Sequence, residues 1–499
     1  MSGSVDPRTP VLVGAGQVTN RGERLVEPMT LMEEAACAAL ADTGGAVVDR
    51  IRSVQVVNVI SGSYPNPAGT LARRLRLPEG ERVTTTIGGN TPQWLLARAC
   101  DDVAAGRLDG VLIAGAEALD SAKRARDSGV AFQTLDGDDL AADQVVGDGR
   151  TGIGPAEMAA GLMAPAALYP LFESALAARD GRSPEEQRAF LGELLAPMTE
   201  VAAGHPDLAW FPEVRTAAEI STVTEDNRLV GEPYTKRMNS IIQVDQGAAL
   251  VLLSAGAAQA VGVPRERWVF PWAAAECNDV FLPSERPDVS RSPGIAAAGR
   301  AALGAAGRTI DDVAFVDLYS CFPCALEMGA EALGIDVDDP RGLTVTGAMP
   351  YFGGPGNNYV THSIAVMIDR CRGAPEAMGL VTGLGWYVTK HAVGLYSATP
   401  PPQGWRHADC TADQARIDAS AMPVAADARG EAVVEAMTVV HDRRSGPASA
   451  PVFARLGNGR RVVAVPADPA LPAALSGTSL VGVRVRVVPG EGAPRYEPV

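Results

Sequence analysis

The segment 83–93 has the pattern of a turn that presents a reactive group, yet it holds no residue that would act as an acyl-transfer nucleophile. A β-branched run at 83–87 predicts a buried strand, and Gly88 and Gly89 permit a tight reversal of the chain. A Thr-Pro pair directly afterwards predicts the start of a helix. Such a turn gathers free backbone N–H groups and the positive end of a helix dipole at one point, which favours a negatively charged oxygen there.

The predicted helix ends at Gly106, and a second apolar strand follows at 110–115. This arrangement resembles the thiolase superfamily, whose members carry Cys-x-Ser-Gly at the start of this helix and Gly-Gly-x-Glu at the end of the next strand. Counting back from Gly106, the family cysteine falls on Gly89, while residues 115–118, Gly-Ala-Glu-Ala, keep the second signature in part. The resemblance implies a thiolase-like site from which the nucleophile is missing.

The other catalytic positions of the family also differ. The family's Gly-His-Pro falls on 353–355, so that Gly354 stands in place of the histidine, and the second cysteine falls near 381–383. The family's Asn-Glu-Ala-Phe or His-Asp-Cys-Phe becomes Tyr-Ser-Cys-Phe at 319–322. Because the thiolate, its histidine partner and the second cysteine are all absent, Claisen condensation by the usual route is not expected.

Backbone groups of the site remain in the sequence. The resemblance implies that the N–H of Gly89 converges with an N–H near Gly383, with Asn90, Gly354 and Gly385 beside them. An oxyanion hole made of amides needs no side chains, so the site is expected to bind a thioester carbonyl without attacking it. The glycines at the cysteine and histidine positions are expected to enlarge the cavity.

Three side chains are candidates for proton transfer. Tyr319 replaces the His or Asn of the family tetrapeptide, and some thiolase-fold relatives that cleave hydroxyacyl-CoA by a retro-aldol reaction use tyrosine there; local packing is the alternative. His391 follows the Gly-Leu-Gly turn at 383–385 and could act near neutral pH or serve a structural role. His362 lies in the first turn of the helix predicted after 356–358, where the neutral form is favoured and capping is the alternative.

Composition narrows the function classes. The net charge is −16 over 499 residues, which argues against a nucleic-acid groove but permits a local basic patch for coenzyme A (CoA).

The seven cysteines are scattered, which indicates a reducing cytoplasm. The Cys-Phe-Pro-Cys run at 321–324 lacks a second ligand pair, so no metal site is predicted. We recognise no signal peptide and no apolar run that could cross a bilayer, and therefore expect a cytoplasmic protein without membrane insertion.

An internal repeat organises the chain. The unit at 35–57 recurs at 297–318 as an alanine-rich helix, a glycine stop, an acidic turn and a buried strand. The turn at 88–89 has its counterpart at 353–355, and each is followed by a helix and an apolar strand that ends in glycine. Two matches in the same order indicate a duplication. The predicted class is α/β, and the resemblance implies a duplicated thiolase fold with five layers, α-β-α-β-α.

The same reasoning predicts the domain organisation. Residues 1–119 and 236–262 form the N-terminal thiolase half, and 263–399 form the C-terminal half. Residues 120–235 are an insert, which in the resembled family is the loop domain that covers CoA. Residues 405–499 form an additional β-rich domain, OB-like, after a proline-rich linker.

The β-rich tail has no place in ordinary thiolases, so the chain resembles the thiolase-like proteins with an additional C-terminal domain. Its arginines, among them Arg460, Arg461, Arg484 and Arg486, are expected to pair with acidic residues of the body or to reach the CoA phosphates. Few aromatic residues are available to stack bases, so binding of nucleic acid is not expected. In relatives that cleave hydroxyacyl-CoA, a separate OB-type subunit completes the active site, and the fused tail could do the same.

These observations favour an acyl-CoA-binding protein of the thiolase superfamily, similar to acetyl-CoA acetyltransferases but with a degenerate active site. CoA or acyl-CoA is the expected ligand, in lipid and acyl-CoA metabolism, with no covalently bound cofactor. One alternative is a retro-aldol lyase that acts on a β-hydroxyacyl-CoA, and another is a non-catalytic CoA-binding or scaffolding protein. Family thiolases dimerise through the first half-sheet, so the resemblance is compatible with a homodimer. A monomer stays open because the extra domain could block that surface.

Overall fold

A computed structural model describes residues 5–132 and 141–499. The strands are β1 Pro10–Thr19, β2 Ser53–Val56, β3 Glu81–Thr85, β4 Gly110–Ala118, β5 Gln144–Val146, β6 Leu229–Gly231, β7 Tyr234–Thr235, β8 Asp245–Ser254, β9 Phe270–Asn278, β10 Val313–Asp317, β11 Met378–Gly385, β12 Lys390–Ser397, β13 Arg406–Ala408, β14 Gly430–Met437, β15 Val440–Asp442, β16 Gly446–Ser449, β17 Val452–Leu456, β18 Arg461–Pro466, β19 Arg484–Val488 and β20 Arg495–Pro498.

The helices alternate with these strands through most of the chain. They are α1 Pro28–Asp42, α2 Pro67–Arg74, α3 Thr91–Ala104, α4 Leu119–Asp127, α5 Pro155–Ala159, α6 Pro165–Arg179, α7 Pro184–Ala203, α8 Ala217–Ser221, α9 Ala255–Ala260, α10 Pro293–Ala306, α11 Pro323–Leu333, α12 Met349–Phe352, α13 Tyr359–Gly373, α14 Thr411–Ala419 and α15 Leu471–Leu475. Among the described residues, no helix is long and apolar enough to span a membrane.

Two sheets repeat the same topology. The first has the order β1-β8-β4-β2-β3-β5 and the second the order β10-β11-β12-β9-β13. Within them, β1-β8-β4-β2 corresponds to β9-β12-β11-β10, because both sets pair antiparallel, antiparallel and then parallel. The duplication predicted from the sequence is therefore confirmed.

Helices α3 and α13 form the layer between the two sheets, and each contacts strands of both. Helix α1 covers the outer face of the first sheet, while α10 covers that of the second and α11 packs on α10. Close packing of α1 requires glycine at position 16 of β1, where any side chain would overlap the carbonyl oxygen of Ala35. The five-layer α-β-α-β-α order of the thiolase fold follows.

The tail forms a closed five-stranded barrel in the order β14-β17-β18-β20-β19. This closed barrel confirms the additional β-rich domain, and five strands are the number in an OB-fold. The barrel begins at Gly430, later than the predicted boundary at residue 405. Residues 406–419 pack on the C-terminal half, because β13 pairs with β9 and α14 packs beside it, whereas Ala425 and Ala428 already belong to the core of the barrel.

The barrel is joined to the insert as well as to the C-terminal half. Strand β15 pairs with β6 of the insert, so that β16-β15-β6-β7 form one sheet across the two domains. The carboxylate of Glu232 in the insert accepts hydrogen bonds from the hydroxyl of Ser476, at 2.5 Å, and the N–H of Gly477, at 2.7 Å, and its Oε1 lies 2.7 Å from His441 Nε2. Residues 133–140 of the predicted insert lie outside the described residues.

Arg461, at the start of β18, is the principal polar anchor of the barrel on the body. Its side chain is 1 % exposed. Its Nε donates to Glu435 Oε2 at 2.8 Å, and its Nη1 donates to the carbonyl oxygens of Ser284, at 3.1 Å, and Arg286. The prediction that the tail arginines pair with acidic residues of the body is wrong for Arg461, because its carboxylate partner lies within the barrel. The body offers it backbone carbonyls instead.

We expect Arg461→Ala to lower the free energy of unfolding by about 3 kcal/mol, because two carbonyl groups of the body lose their donor and the half-buried Glu435 carboxylate loses one of its two arginine partners. Denaturant unfolding followed by circular dichroism measures the loss. Arg484→Ala is the matched control, since Arg484 lies on the same barrel with its side chain 73 % exposed; its effect should stay below about 0.5 kcal/mol. Equal losses in the two variants would contradict the anchoring role.

Candidate functional site

A cleft of about 840 Å³ opens between the two halves and the insert. It is lined by the turns and strand ends that the repeat makes equivalent, and by helix α6 and the 236–243 segment. The lining includes Gly88, Gly89, Gly354, Gly356, Asn357, Tyr319, Cys321, Phe322, Leu384, Trp386 and Tyr387, together with Ala166, Tyr169, Ser240 and Tyr351. The structure thus brings Gly89, Gly354 and Tyr319 into one site.

The turn before α3 presents an unused backbone donor. The N–H of Gly88 donates to Asn357 Oδ1 at 2.9 Å, and the Asn357 amide donates to the carbonyl of Asn58 at 3.1 Å. The N–H of Gly89 has no hydrogen-bond acceptor within residues 5–132 and 141–499. A free N–H at the N-terminus of a 14-residue helix favours a partly negative oxygen.

The structure does not place every predicted backbone group in the cleft. Gly383 and Gly385 are absent from its lining. A Cβ on Gly383 would lie 2.9 Å from the Cα of Asn90, so this strand packs directly behind the turn. Gly383 and Gly385 therefore do not face the cleft themselves, although Leu384 between them lines it, and Gly383 packs against Asn90.

Tyr319 occupies the space that a nucleophile at position 89 would need. A side chain on Gly89 would overlap the Tyr319 hydroxyl, and its Cβ would lie 2.7 Å from Tyr319 Cζ and 2.5 Å from the Leu384 carbonyl oxygen. In the same way, a side chain on Gly354 would overlap Ser240 Oγ. The expectation that the two glycines enlarge the cavity is wrong, because Tyr319 and Ser240 fill the vacated space.

Tyr319 follows β10 and is held by its neighbours. Its N–H donates to Thr382 Oγ1 at 2.8 Å, and its ring packs edge-on against Tyr359 with centroids 5.8 Å apart. Burial, with the nearby Cys321 and Tyr359, raises the pKa of Tyr319 well above its ordinary value. Burial likewise raises the pKa of Cys321 to about 12. Near neutral pH the cleft therefore contains a neutral phenol and a neutral thiol, and no thiolate.

The two predicted catalytic histidines lie outside the cleft lining. His391 is buried with Nε2 at 2.9 Å from Asp279 Oδ2, on the side of β12 that faces α10. His362 is fully buried in α13, where Nδ1 lies 2.8 Å from Gln17 Oε1. Burial lowers the pKa of His362 to about 3, so it stays neutral as its place near the helix start predicts. Neither imidazole is positioned to act on a ligand in this cleft.

Glu117, the acidic residue of the partial family signature, supports the cleft from below. Its carboxylate accepts the N–H groups of Ile60 at 2.9 Å and Ser61 at 2.8 Å. A Cβ on Gly356 would lie 2.5 Å from Glu117 Oε1, so the turn before α13 rests on this side chain. Burial raises the pKa of Glu117 to about 7.

The mouth of the cleft carries positive charge and apolar surface. Arg215, Lys236 and Arg237 line it beside one acidic residue, Asp226, and Phe211 and Ile242 are exposed there. Their role was not predicted from the sequence, because no motif marks them and they meet only when the 236–238 segment packs on α7 and α8 of the insert. Of the described residues, none after Tyr387 lines the cleft, so the barrel does not complete it.

Comparisons with known proteins agree with this architecture. Residues 414–491 match the family described as the thiolase-like protein type 1 additional C-terminal domain. The crystal structure of a monomeric SCP2-thiolase-like protein type 1 from Mycobacterium smegmatis is 34 % identical, with a TM-score of 0.85 over 99 % of this chain and 100 % of that chain.

More distant structures share the fold alone. The Ltp2-ChsH2(DUF35) aldolase is 20 % identical, with a TM-score of 0.60 over 79 % of this chain and 99 % of that chain. An acetyl-CoA acetyltransferase from Syntrophomonas wolfei is 17 % identical, with a TM-score of 0.53 over 78 % of this chain and 99 % of that chain. A search of curated proteins found no match.

We expect Gly89→Ala to destabilise the protein by about 1–3 kcal/mol, because the new methyl group overlaps Tyr319 and the Leu384 carbonyl. In a Tyr319→Ala background the same substitution should cost at least about 1 kcal/mol less, since part of the overlap is removed. A double-mutant cycle of unfolding free energies measures this coupling. Tyr351→Ala, at another tyrosine of the cleft, is the control and should show none; additive effects of Gly89→Ala and Tyr319→Ala would show that Tyr319 does not fill this space.

Proposed function

Because this chain belongs to the SCP2-thiolase-like proteins of type 1, we propose that it binds the thioester of an acyl-CoA in the cleft without the covalent chemistry of thiolases. The free N–H of Gly89, presented at the N-terminus of α3 on the wall of this cleft, carries the proposal. A thioester oxygen placed there accepts a hydrogen bond and feels the helix dipole.

The cleft matches the different parts of such a ligand. Aromatic and aliphatic side chains such as Tyr169, Phe322 and Tyr351 line its interior and suit an acyl chain and pantetheine arm. Arg215, Lys236 and Arg237 at the mouth supply cationic donors for the CoA phosphates. This local patch determines the electrostatic attraction of phosphates to the cleft, because the net charge of −16 is spread over the whole chain.

Acyl transfer through the enzyme is not part of the proposal. Glycine stands at positions 89 and 354, no cysteine is present at 381–383, and a neutral thiol at Cys321 is a weak nucleophile. The protein therefore keeps groups that bind a thioester and lacks the groups that attack it. We assign it to acyl-CoA metabolism. All seven cysteines carry free thiols, which supports the proposal of a cytoplasmic protein.

We expect CoA to bind with a dissociation constant between micromolar and low millimolar, measured by calorimetry. Lys236→Ala should weaken this affinity about 3- to 10-fold, because a phosphate contact at the mouth is lost. Lys123→Ala is the matched control, since Lys123 is a surface lysine of α4 paired with Asp127 at 2.7 Å and lies outside the lining. Absence of binding to the unmodified protein at saturating CoA would reject the proposal and favour a scaffold.

The position of Tyr319 favours a second candidate function, the retro-aldol cleavage of a β-hydroxyacyl-CoA. The bond between Cα and Cβ breaks as the substrate hydroxyl loses its proton to water in the cleft, a carbonyl compound leaves, and the electron pair forms an enolate whose oxygen faces the Gly89 N–H. The neutral Tyr319 hydroxyl then donates its proton to Cα, and the phenolate regains a proton from water. Its raised pKa keeps the phenol protonated near neutral pH, so a proton is available for the enolate carbon.

Incubation with a β-hydroxyacyl-CoA and detection of the released aldehyde or ketone tests this candidate. We expect Tyr319→Phe to reduce the rate about 100-fold or more, since the proton donor is lost. Tyr351→Phe removes another hydroxyl of the same cleft and should leave the rate within a few-fold. Release of no carbonyl compound by the unmodified protein would eliminate the lyase while leaving the binding proposal intact.

A further inference from the structure

A buried ammonium group lies directly behind the Gly88–Gly89 turn. Lys390, the first residue of β12, is 2 % exposed. Its Nζ donates to the carbonyl oxygen of Ile87 at 2.6 Å and to that of Asp148 at 3.2 Å. Ile87 is the residue that enters the turn, so the lysine holds the Ile87–Gly88 peptide, one peptide before the Gly89 N–H.

The lysine fits because glycines leave room for it. A Cβ on Gly88 would lie 2.9 Å from Nζ, and a Cβ on Gly385 would lie 3.1 Å from Cε. The buried side-chain oxygen of Asn90 lies at the same place, 2.6 Å from the Cβ position on Gly88, and has no donor among the described residues. Lys390 thus fills a groove between the turn and the end of β11.

The charge of Lys390 is poorly compensated. Asp148, the nearest acidic residue that acts on it, is engaged with Arg150 at 2.6 Å and offers Lys390 only its carbonyl oxygen. Among the described residues, no carboxylate lies within ion-pair distance of Nζ, and Arg150 adds further positive charge. Burial also lowers the pKa of Lys390, because the charged form loses its hydration. A buried cation without a counter-ion favours negative charge on a neighbouring group.

We propose that Lys390 is a positioning residue that polarises the thioester carbonyl of the bound ligand. It does not line the cleft, so it acts through the turn and not by direct contact with a ligand. It acts by holding the Ile87–Gly88 peptide, which directly precedes the peptide of the Gly89 N–H, and by placing a positive charge next to this turn. This inference rests on the proposed binding of acyl-CoA, and it extends that site to ligands with a negatively charged oxygen, such as a thioester enolate.

The infrared carbonyl stretch of acetyl-CoA labelled with carbon-13 at the thioester carbonyl tests the proposal. We expect the band to move to lower frequency on binding to the unmodified protein, and at least half of this shift to be lost in Lys390→Met. Lys390→Gln keeps a donor for the Ile87 carbonyl but removes the charge, so it should also lose most of the shift. The affinity for CoA, which has no thioester carbonyl, should stay within about threefold in all three proteins.

The outcomes separate this inference from the proposed function. A full carbonyl shift in Lys390→Gln, with CoA still bound, would overturn the role of the lysine charge and leave acyl-CoA binding intact. Failure of the unmodified protein to bind either CoA or acetyl-CoA would refute the proposed function and this inference together. Lys390→Gln retains a polar head in the groove, which keeps the test informative if Lys390→Met does not fold.

Discussion

The steric exclusion between Tyr319 and any side chain at position 89 is the constraint on which the site depends. The end of β10 delivers the phenol to the turn before α3, so this turn has room for a backbone donor and no room for a nucleophile. Ser240 imposes the same restriction on position 354. The loss of thiolase residues is therefore accompanied by packing that fills the vacated space, and restoring one residue would not restore the earlier geometry.

The floor of the cleft is built from backbone that buried polar groups hold in place. Asn357 accepts the N–H of Gly88, Lys390 donates to the Ile87 carbonyl, and Glu117 supports the turn at Gly356. Each of these side chains comes from a different strand or turn of the duplicated fold. A donor fixed from several directions needs little reorganisation when a ligand oxygen arrives, which is the physical basis of preorganised electrostatic binding.

The barrel occupies the side of the insert that faces away from the cleft. Helix α6 lines the cleft through Ala166 and Tyr169, while its Ser174 accepts the N–H of Met437 at the end of β14. The strands β17 and β18 correspond to the face with which OB-folds commonly bind oligonucleotides, and here Arg461 on that face is buried against the body. The domain therefore braces the insert, and its ligand face is used for an internal contact.

Local pattern in the sequence determined the repeated β-α-β units, the glycine turns at 88–89 and 353–354, the absence of the catalytic cysteines and histidine, and the extra β-rich tail. These features depend on residue type and spacing along the chain, which periodicity and turn chemistry report directly.

Only the tertiary structure decided which side chains meet at the turn. Adjacent residues of a strand point to opposite faces, so Lys390 reaches the turn while its neighbour His391, a candidate from the sequence for proton transfer or a structural role, is directed to Asp279. Tyr319, Ser240 and Lys390 come from distant parts of the chain, and their contacts with the glycines follow from how the sheets and the insert pack, which no local pattern encodes.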